Sequence, residues 1–433
     1  MKTSQNLPFW PDPKSYRDID LDLSRVKKLL TRLVNPHLKI PPTIHIAGTN
    51  GKGSTLSFLR TIFEESGLKI HSYTSPHLVK FNERIVLAGK EISDETLREV
   101  LLECQAAAEK RPKISVTFFE GITAAAFLAF SRSKADLLLL ETGMGGRLDA
   151  TNILPEVLCS VITPIALDHQ EFLGKTLAKI AYEKAGIIKK NCPTIVGRQK
   201  PSARRVIENT ASGASSEVRF FGKDWEVKKQ RNGFLFSGFG RKISLPLPSL
   251  LGDHQIENAA LAIAAALTQK KFLISENHLR AGITKIFWPA RLQKINSGNF
   301  FEMLPKNYAL FLDGSHNLQG AGTIKKFLET QKNKKIFVIF TMLQDKNCEG
   351  FLKKISGEID LLIALSIPNE PKSRAAAEVK KIAEKIGINA VTAKNFDEAF
   401  AVCLREGNGD ETALLVCGSL YLAGEFLKLN NER

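Results

Sequence analysis

The chain has 433 residues, 43% hydrophobic and 24% charged, and its 61 Lys and Arg against 45 Asp and Glu give a formal net charge of +16. That composition suits a globular protein of two or three domains, and the longest apolar runs, such as 259–267 (AALAIAAAL), are too short to cross a bilayer. The basic residues are dispersed without interleaved aromatics, no C-x-x-C pair joins the six cysteines, and the start M-K-T-S-Q-N has no apolar signal region. The expectation is a cytoplasmic protein with no zinc site, no nucleic-acid partner and no membrane partner, whose positive field attracts anionic substrates.

Pro8, Pro11 and Pro13 predict an irregular opening, and 19–34 (IDLDLSRVKKLLTRLV) leads into a helix with Val26, Leu29, Leu30 and Leu33 on one face. A β-branched strand, 43–47 (TIHIA), runs into G-T-N-G-K-G-S-T at 48–55. Leu56, Leu59, Ile62 and Phe63 then recur at helical spacing, and Gly67 marks the stop. A glycine-rich turn between a strand and a helix N-terminus is an anion site, because backbone N–H groups converge there and the helix dipole adds to them. Lys52 brings a mobile charge for a β/γ-phosphate, and Ser54 or Thr55 a hydroxyl for a magnesium ion. Only Thr49 and Asn50 separate Gly48 from Gly51-Lys52, where the common P-loop has four residues. An ordinary strand–turn–helix connection is the competing reading.

The strand at 69–74 ends in Ser75-Pro76, either a plain turn or a second hydroxyl near the phosphates, since ligands of open α/β sheets bind at strand carboxyl ends. Helices follow at 93–109, capped by Ser93, and at 117–130. The run 136–142 (DLLLLET) reads as a strand buried on both faces, with Glu141 at its carboxyl end, ahead of G-M-G-G-R-L-D. A carboxylate there suits magnesium, the alternative being a solvated strand end. The strand 157–163 ends in Pro164, and Asp168-His169 follow at the same edge, His169 being a metal ligand or a structural histidine. Gly186 ends a helix over 176–190, in which Lys184 reads as a snorkelling surface lysine.

Alternation in 217–221, 224–229, 234–239 and 242–247, with Asn232-Gly233 as a hairpin turn, predicts a small antiparallel β subdomain at about 216–250. A buried helix at 252–267 and a linker near 285–300 follow. Five strand–helix pairs from 309 onward predict a second, largely parallel α/β domain. It has no G-x-G-x-x-G fingerprint, and its first strand ends in Asp313-Gly314-Ser315-His316-Asn317.

Taken together, the short loop G-T-N-G-K-G-S and a series of ordered motifs resemble the folylpolyglutamate synthase/dihydrofolate synthase branch of the Mur-ligase superfamily. The motifs are IDLDLSRV (19–26), SPHL (75–78), TFFE (117–120), ETGMGGRLDATN (141–152), LDH (167–169), EKAGI (183–187), DHQIENA (253–259), WPAR (288–291), DGSHN (313–317) and GSLYL (418–422). The resemblance spans almost the whole chain. It implies an α/β fold: a P-loop-containing three-layer ATPase domain with the small β subdomain at 1–292, then a Rossmann-like parallel α/β domain at 293–433, with the active site in the cleft.

It further implies ATP and two magnesium ions, with a folate or dihydropteroate and L-glutamate as substrates; the chain is expected to be a monomer. Thr49, Asn50, Gly51, Lys52, Gly53 and Ser54 would wrap the phosphates, and Asn258, Arg291 and Asp313 would contact the nucleotide. Ser75 and Glu141 would hold one magnesium and His169 a second. Lys184 matches a lysine the family uses in carbamylated form, which reverses the surface reading. His316 matches a residue for the incoming glutamate, and Asp20 and Phe119 fall in segments lining the pterin pocket. The chain departs from the family's usual residues at Ala290, where Gly is usual, at Ser315, where Ala is, and at Asn347, where Asp is common. The reaction implied is ADP-forming amide ligation. Its rivals are a peptidoglycan-precursor Mur ligase and a basic P-loop nucleic-acid ATPase.

Overall fold

The computed structural model describes residues 9–12 and 20–431, so the irregular opening expected at Pro8 and Pro13 lies outside it. The chain divides into two compact units, Met1–Ser249 with Gln255–Ile286, and Leu250–His254 with Phe287–Arg433.

The first unit is built on an eight-stranded sheet. Its strands are β1 (Thr43–Ala47), β2 (Ile70–Tyr73), β3 (Ile85–Leu87), β4 (Lys90–Glu91), β5 (Leu137–Glu141), β6 (Cys159–Ile162), β7 (Thr194–Val196) and β8 (Val218–Phe220), ordered β4-β3-β2-β5-β1-β6-β7-β8. From β2 to β8 all neighbours are parallel, and the hairpin β3–β4 closes one edge. The central strands are apolar on both faces because helices cover both. The helices Asp94–Glu109 and Phe118–Arg132 bury Leu97, Leu101, Ile122 and Phe127 on one side. Further along the same face Leu177–Ala185 and Pro201–Gly213 bury Ile180, Ala181, Ala203 and Ile207 against Ile162 and Val196, which the strand registers align with Leu138 and Leu140, and Lys52–Glu65 packs on the other face. Ser93 caps the first of these helices, and Thr117 with Glu120 forms a capping box on the second.

Of the four stretches expected in the β subdomain, three form an antiparallel sheet: β9 (Trp225–Gln230), β10 (Gly233–Gly238) and β11 (Arg241–Pro246). The first stretch instead became β8, because Phe220 is buried among Val196 and Ile207 and the segment pairs with β7. The hairpin turn also sits one residue earlier than Asn232-Gly233, since Gly233 already pairs with Gln230.

The second unit carries β12 (Gln293–Ile295), β13 (Tyr308–Leu312), β14 (Lys335–Phe340), β15 (Leu361–Ala364), β16 (Ala390–Thr392) and β17 (Thr412–Cys417), ordered β12-β13-β17-β14-β15-β16. All five expected strands pair in parallel, and β12, in the stretch expected to be linker, pairs antiparallel with β13. Three residues of Q-K-I are too few to show a period. Asn317, Asn347 and Asn395 cap the helices after β13, β14 and β16, each accepting from the N–H three residues on.

Candidate active site

In the order β2-β5-β1-β6, the chain leaves β1 toward β2 and β5 and later crosses to β6 on the other side. The carboxyl ends of β1 and β6 therefore form a topological switch point, the usual ligand crevice of such sheets. The loops after these two strands meet there. Thr49 and Asn50 N–H both donate to Pro164 O, at 3.1 and 3.3 Å. The Thr49 hydroxyl donates to Ala166 O and accepts from Ala166 N–H.

With those two amides taken, the donors left to an anion are the first-turn N–H groups of the helix Lys52–Glu65, beginning at Lys52, Gly53 and Ser54. Gly51 precedes them at φ +87°, a left-handed conformation, and a Cβ there would lie 2.5 Å from Asn258 Oδ1. Asn258 is itself held by Gln255, so the phosphate loop and this asparagine are adjacent.

Lys52 Nζ lies 3.7 Å from Glu141 Oε1, at the end of β5 beside β1. Ser75 follows β2, the strand on the other side of β5, so Ser75, Glu141, the loop and the Asp168-His169 turn come from four adjacent strand ends. His169 sits at φ +49° with Nε2 3.9 Å from Asp168 Oδ2. Lys184 is not at the surface: it is 4% exposed, and its Nζ donates to Gly48 O at 2.7 Å. Burial, reinforced by the charge of Lys52, pulls its pKa down to about 7.

Among the described residues, no three or more His, Cys, Asp or Glu cluster as a metal site. The donor set expected here is different, a serine hydroxyl, one carboxylate, a carbamate and one imidazole; its oxygen donors fit a magnesium-like cation, the imidazole being the softer member. The same edge has unmet polar demand: the buried hydroxyls of Thr55, Thr142 and Thr163 have no hydrogen-bond partner.

The glycine-rich run after Glu141 locks onto the end of the helix carrying Lys184. A Cβ at Gly146 would meet Glu183 O and Lys184 O at 2.8 and 2.9 Å, and one at Gly186 would meet Arg147 Cα at 2.5 Å. Arg147 N–H donates to Glu183 O at 2.6 Å, its guanidinium pairs with the Glu183 carboxylate, and Asn152 Nδ2 donates to Arg147 O and Gly186 O. Asp149, fully enclosed, accepts from Met144 N–H and from the N–H and hydroxyl of Thr151. Asp149 and Glu183 lie in the motifs at 141–152 and 183–187, but no local pattern in the sequence marks either as functional.

At the start of the same run Phe119 packs on Gly143, where a Cβ would lie 2.4 Å from the ring. Next to Phe119, Glu120 takes a two-pronged ion pair from Arg25, which also binds Asp20 Oδ2 at 2.6 Å. Asp20 and Phe119 are thus joined through Arg25 and Glu120, neither of which was named from the sequence. The loop after Ser75 is braced by Glu83, whose carboxylate accepts from the N–H groups of Leu78, Val79 and Lys80. Arg84 Nε donates to His77 Nδ1 at 2.8 Å, and burial drives the His77 pKa down to about 3.

In the second unit, Asp313 is buried at the end of β13 and accepts from Leu292 N–H and Ser315 N–H, both at 2.8 Å. Gly314 N–H donates to Ala290 O, and Arg291 Nη1 donates to the same oxygen. Arg291 is therefore held over the D-G-S-H turn by residues on both sides, Ala290 and Leu292, in left-handed conformations. His316 Nδ1 donates to Gly314 O at 2.9 Å.

Residues 46–266 match the family model described as Mur ligase middle domain, and residues 296–429 the one described as Dihydrofolate synthetase, C-terminal domain. Over 422 residues the chain is 34% identical to the dihydrofolate synthase/folylpolyglutamate synthase of Bacillus subtilis, covering 94% of both. Its structure resembles that of Escherichia coli FolC in complex with DHPP and ADP, with TM-score 0.85, 30% identity and coverage of 95% and 93%. It also resembles a bifunctional folylpolyglutamate synthase/dihydrofolate synthase with Mn, AMPPNP and L-glutamate bound, at TM-score 0.82 and 29% identity, covering 94% of each chain. The chain therefore belongs to the dihydrofolate synthase/folylpolyglutamate synthase family of Mur-type ligases.

Proposed function

We propose that the protein is an ATP-dependent ligase that joins L-glutamate to the carboxylate of a folate-type acceptor, dihydropteroate or a tetrahydrofolate polyglutamate, and releases ADP and phosphate. The carrying observation is the single sheet edge where Lys52, Glu141 and Lys184 converge on the phosphate loop. The family relationship supports this reading over a peptidoglycan-precursor ligase or a nucleic-acid ATPase.

A carboxylate is a poor acylating agent. Its oxygen attacks the γ-phosphorus of ATP, the bond to ADP breaks, and an acyl phosphate results. The glutamate amine then attacks the acyl carbon, loses a proton, and phosphate leaves. Lys52 and the first-turn amides neutralise charge on the transferring group. Ser75, Glu141 and His169, with Lys184 as its carbamate, would hold two divalent cations, which when bound add positive charge beside that group. A lysine whose pKa is about 7 presents the neutral amine that carbamylation requires. Asn258 serves the nucleotide, as do Arg291 and Asp313 in the second unit. Phe119 and Asp20 serve the pterin, and His316 the incoming glutamate. No side chain becomes covalently attached to substrate. We place the enzyme in the cytoplasm as a monomer, a reducing compartment suiting its six free, buried cysteines.

Purified protein releases phosphate only when a pteroate or folate acceptor, glutamate, ATP and magnesium are all present. Phosphate release indifferent to glutamate would sink the ligase reading. Lys52→Ala abolishes turnover while the circular dichroism spectrum is unchanged; a near-normal rate removes the loop from the mechanism.

A further inference from the structure

His45 lies in the middle of β1, fully buried, three residues before Gly48. Its Nε2 is 2.8 Å from Thr151 Oγ1, and that hydroxyl is 2.6 Å from Asp149 Oδ1. Burial raises the Asp149 pKa and the hydrogen bonds from Thr151 and Met144 act against it; with Asp149 as the carboxylate, Thr151 gives it the hydroxyl proton and receives one from His45. The imidazole is therefore the neutral Nε2–H tautomer, and its Nδ1 lone pair is buried without a partner. A histidine with only one of its nitrogens satisfied is expensive to bury, and apolar packing alone would be served better by Val or Ile.

What the expense secures is a closed ring of contacts. His45 anchors Thr151, Thr151 anchors Asp149, and Asp149 holds the turn from Met144. That turn is locked to Glu183 through Arg147, and the next residue, Lys184, returns to Gly48 O, just past the end of the strand that carries His45. We infer that His45 is a positioning residue for phosphoryl transfer: through Thr151 and Asp149 it holds the glycine-rich run in register with the phosphate loop, and so sets where Glu141 and Lys184 stand. Burial, which drives the His45 pKa to about 3, keeps the ring neutral and the donor in place across the working pH range. The kinetic part of this inference rests on the ligase reading; the tautomer and the contact ring do not.

Thr151→Val is close to isosteric and removes only the central hydroxyl, whereas Thr151→Ser keeps it. In long-range 1H–15N spectra at pH 7, His45 is the neutral Nε2–H tautomer, and its signals move in Thr151→Val but not in Thr151→Ser. An Nδ1–H tautomer or an imidazolium overturns the inference. In steady-state assays of folded protein, Thr151→Val and His45→Val each lower kcat about tenfold with KM for ATP held within about twofold, the pattern of misplaced reacting groups. Thr151→Ser restores kcat, and the double Val variant is no slower than either single one, because both cut the same chain. Wild-type kcat in Thr151→Val, or losses that multiply in the double variant, overturns it. Wild-type protein lacking glutamate-dependent phosphate release defeats the ligase reading alone, and the spectra still decide the placement of His45.

Discussion

Ala290 shows at the residue scale how one backbone angle decides what a side chain costs. At φ +55° it holds a conformation that costs a non-glycine residue about 1–2 kcal/mol. Replacing it by glycine relieves that strain, but it adds about 0.4–1 kcal/mol of unfolded-state entropy and loses a buried methyl worth about 0.8 kcal/mol. The terms nearly cancel. Ala290→Gly is thus expected within about 0.5 kcal/mol of wild type in urea unfolding. Ala125→Gly, equally buried but in the helix Phe118–Arg132, loses about 1–2 kcal/mol. A large loss at Ala290 would show that the loop around Arg291 is not held as described. The family's usual glycine and this chain's alanine are two solutions of similar cost. Asn347 is another such case: it caps the helix Cys348–Ile355 through Gly350 N–H, a task Asp does equally well. Lys184 was legible only through family likeness. Its helical spacing puts it on the face of Ile180 and Ala181, where a lysine reads as a snorkelling side chain, and nothing local announces that its Nζ meets Gly48 O, far away in sequence.

At the scale of elements, glycine-rich motifs work by letting segments touch. Gly186 has an ordinary helical φ, so alanine there is opposed by sterics, above all by Arg147, whose backbone the new methyl would strike. Gly186→Ala is expected to cost about 1–3 kcal/mol, the range for overpacking, and to lower turnover by pushing the glycine-rich run away from Lys184. Gly213, at the end of the helix Pro201–Gly213, has nothing within 4 Å of an added Cβ. There the same change should stabilise by about 0.5–1 kcal/mol through helix propensity. Equal effects at the two sites would refute the interlock. The motifs E-T-G-M-G-G-R-L-D and E-K-A-G-I were visible in the sequence as separate signals. That they form one contact was not, because glycine records where a neighbour comes close without recording which neighbour. The same limit explains β8 and β12, whose short stretches took their partners from the sheets already formed beside them.

At the scale of the whole molecule, burial couples stability to pH. His77 titrates near 6.5 when unfolded and near 3 when folded, because partial burial disfavours the charged ring and the neutral ring accepts from Arg84. Between those values the unfolded chain binds the proton and the folded one does not. The stabilisation is therefore present above pH 6.5 and is lost as pH falls toward 3. His77→Gln keeps an acceptor for Arg84 and cannot be protonated. It should match wild type at pH 7 and exceed it by about 1–3 kcal/mol at pH 4.5 in urea unfolding; no crossover between the two pH values would mean that His77 is accessible to protons in the fold. His45, also near 3 when folded, adds to the same acid sensitivity.

The sequence by itself determined the elements and much of the chemistry. Strand and helix periods, the shortened loop at 48–55, an acid closing a strand of four leucines and the order of the motifs are all local patterns, carried by residues within a few positions of one another. Tertiary structure alone decided which loop amides remain for phosphate, that Lys184 is buried against Gly48 O, and that His45, Asp149 and Glu183 belong to one ring of contacts. Those properties depend on burial and on partners from tens to more than a hundred residues apart, and parallel strand order is what brings such partners to one sheet edge.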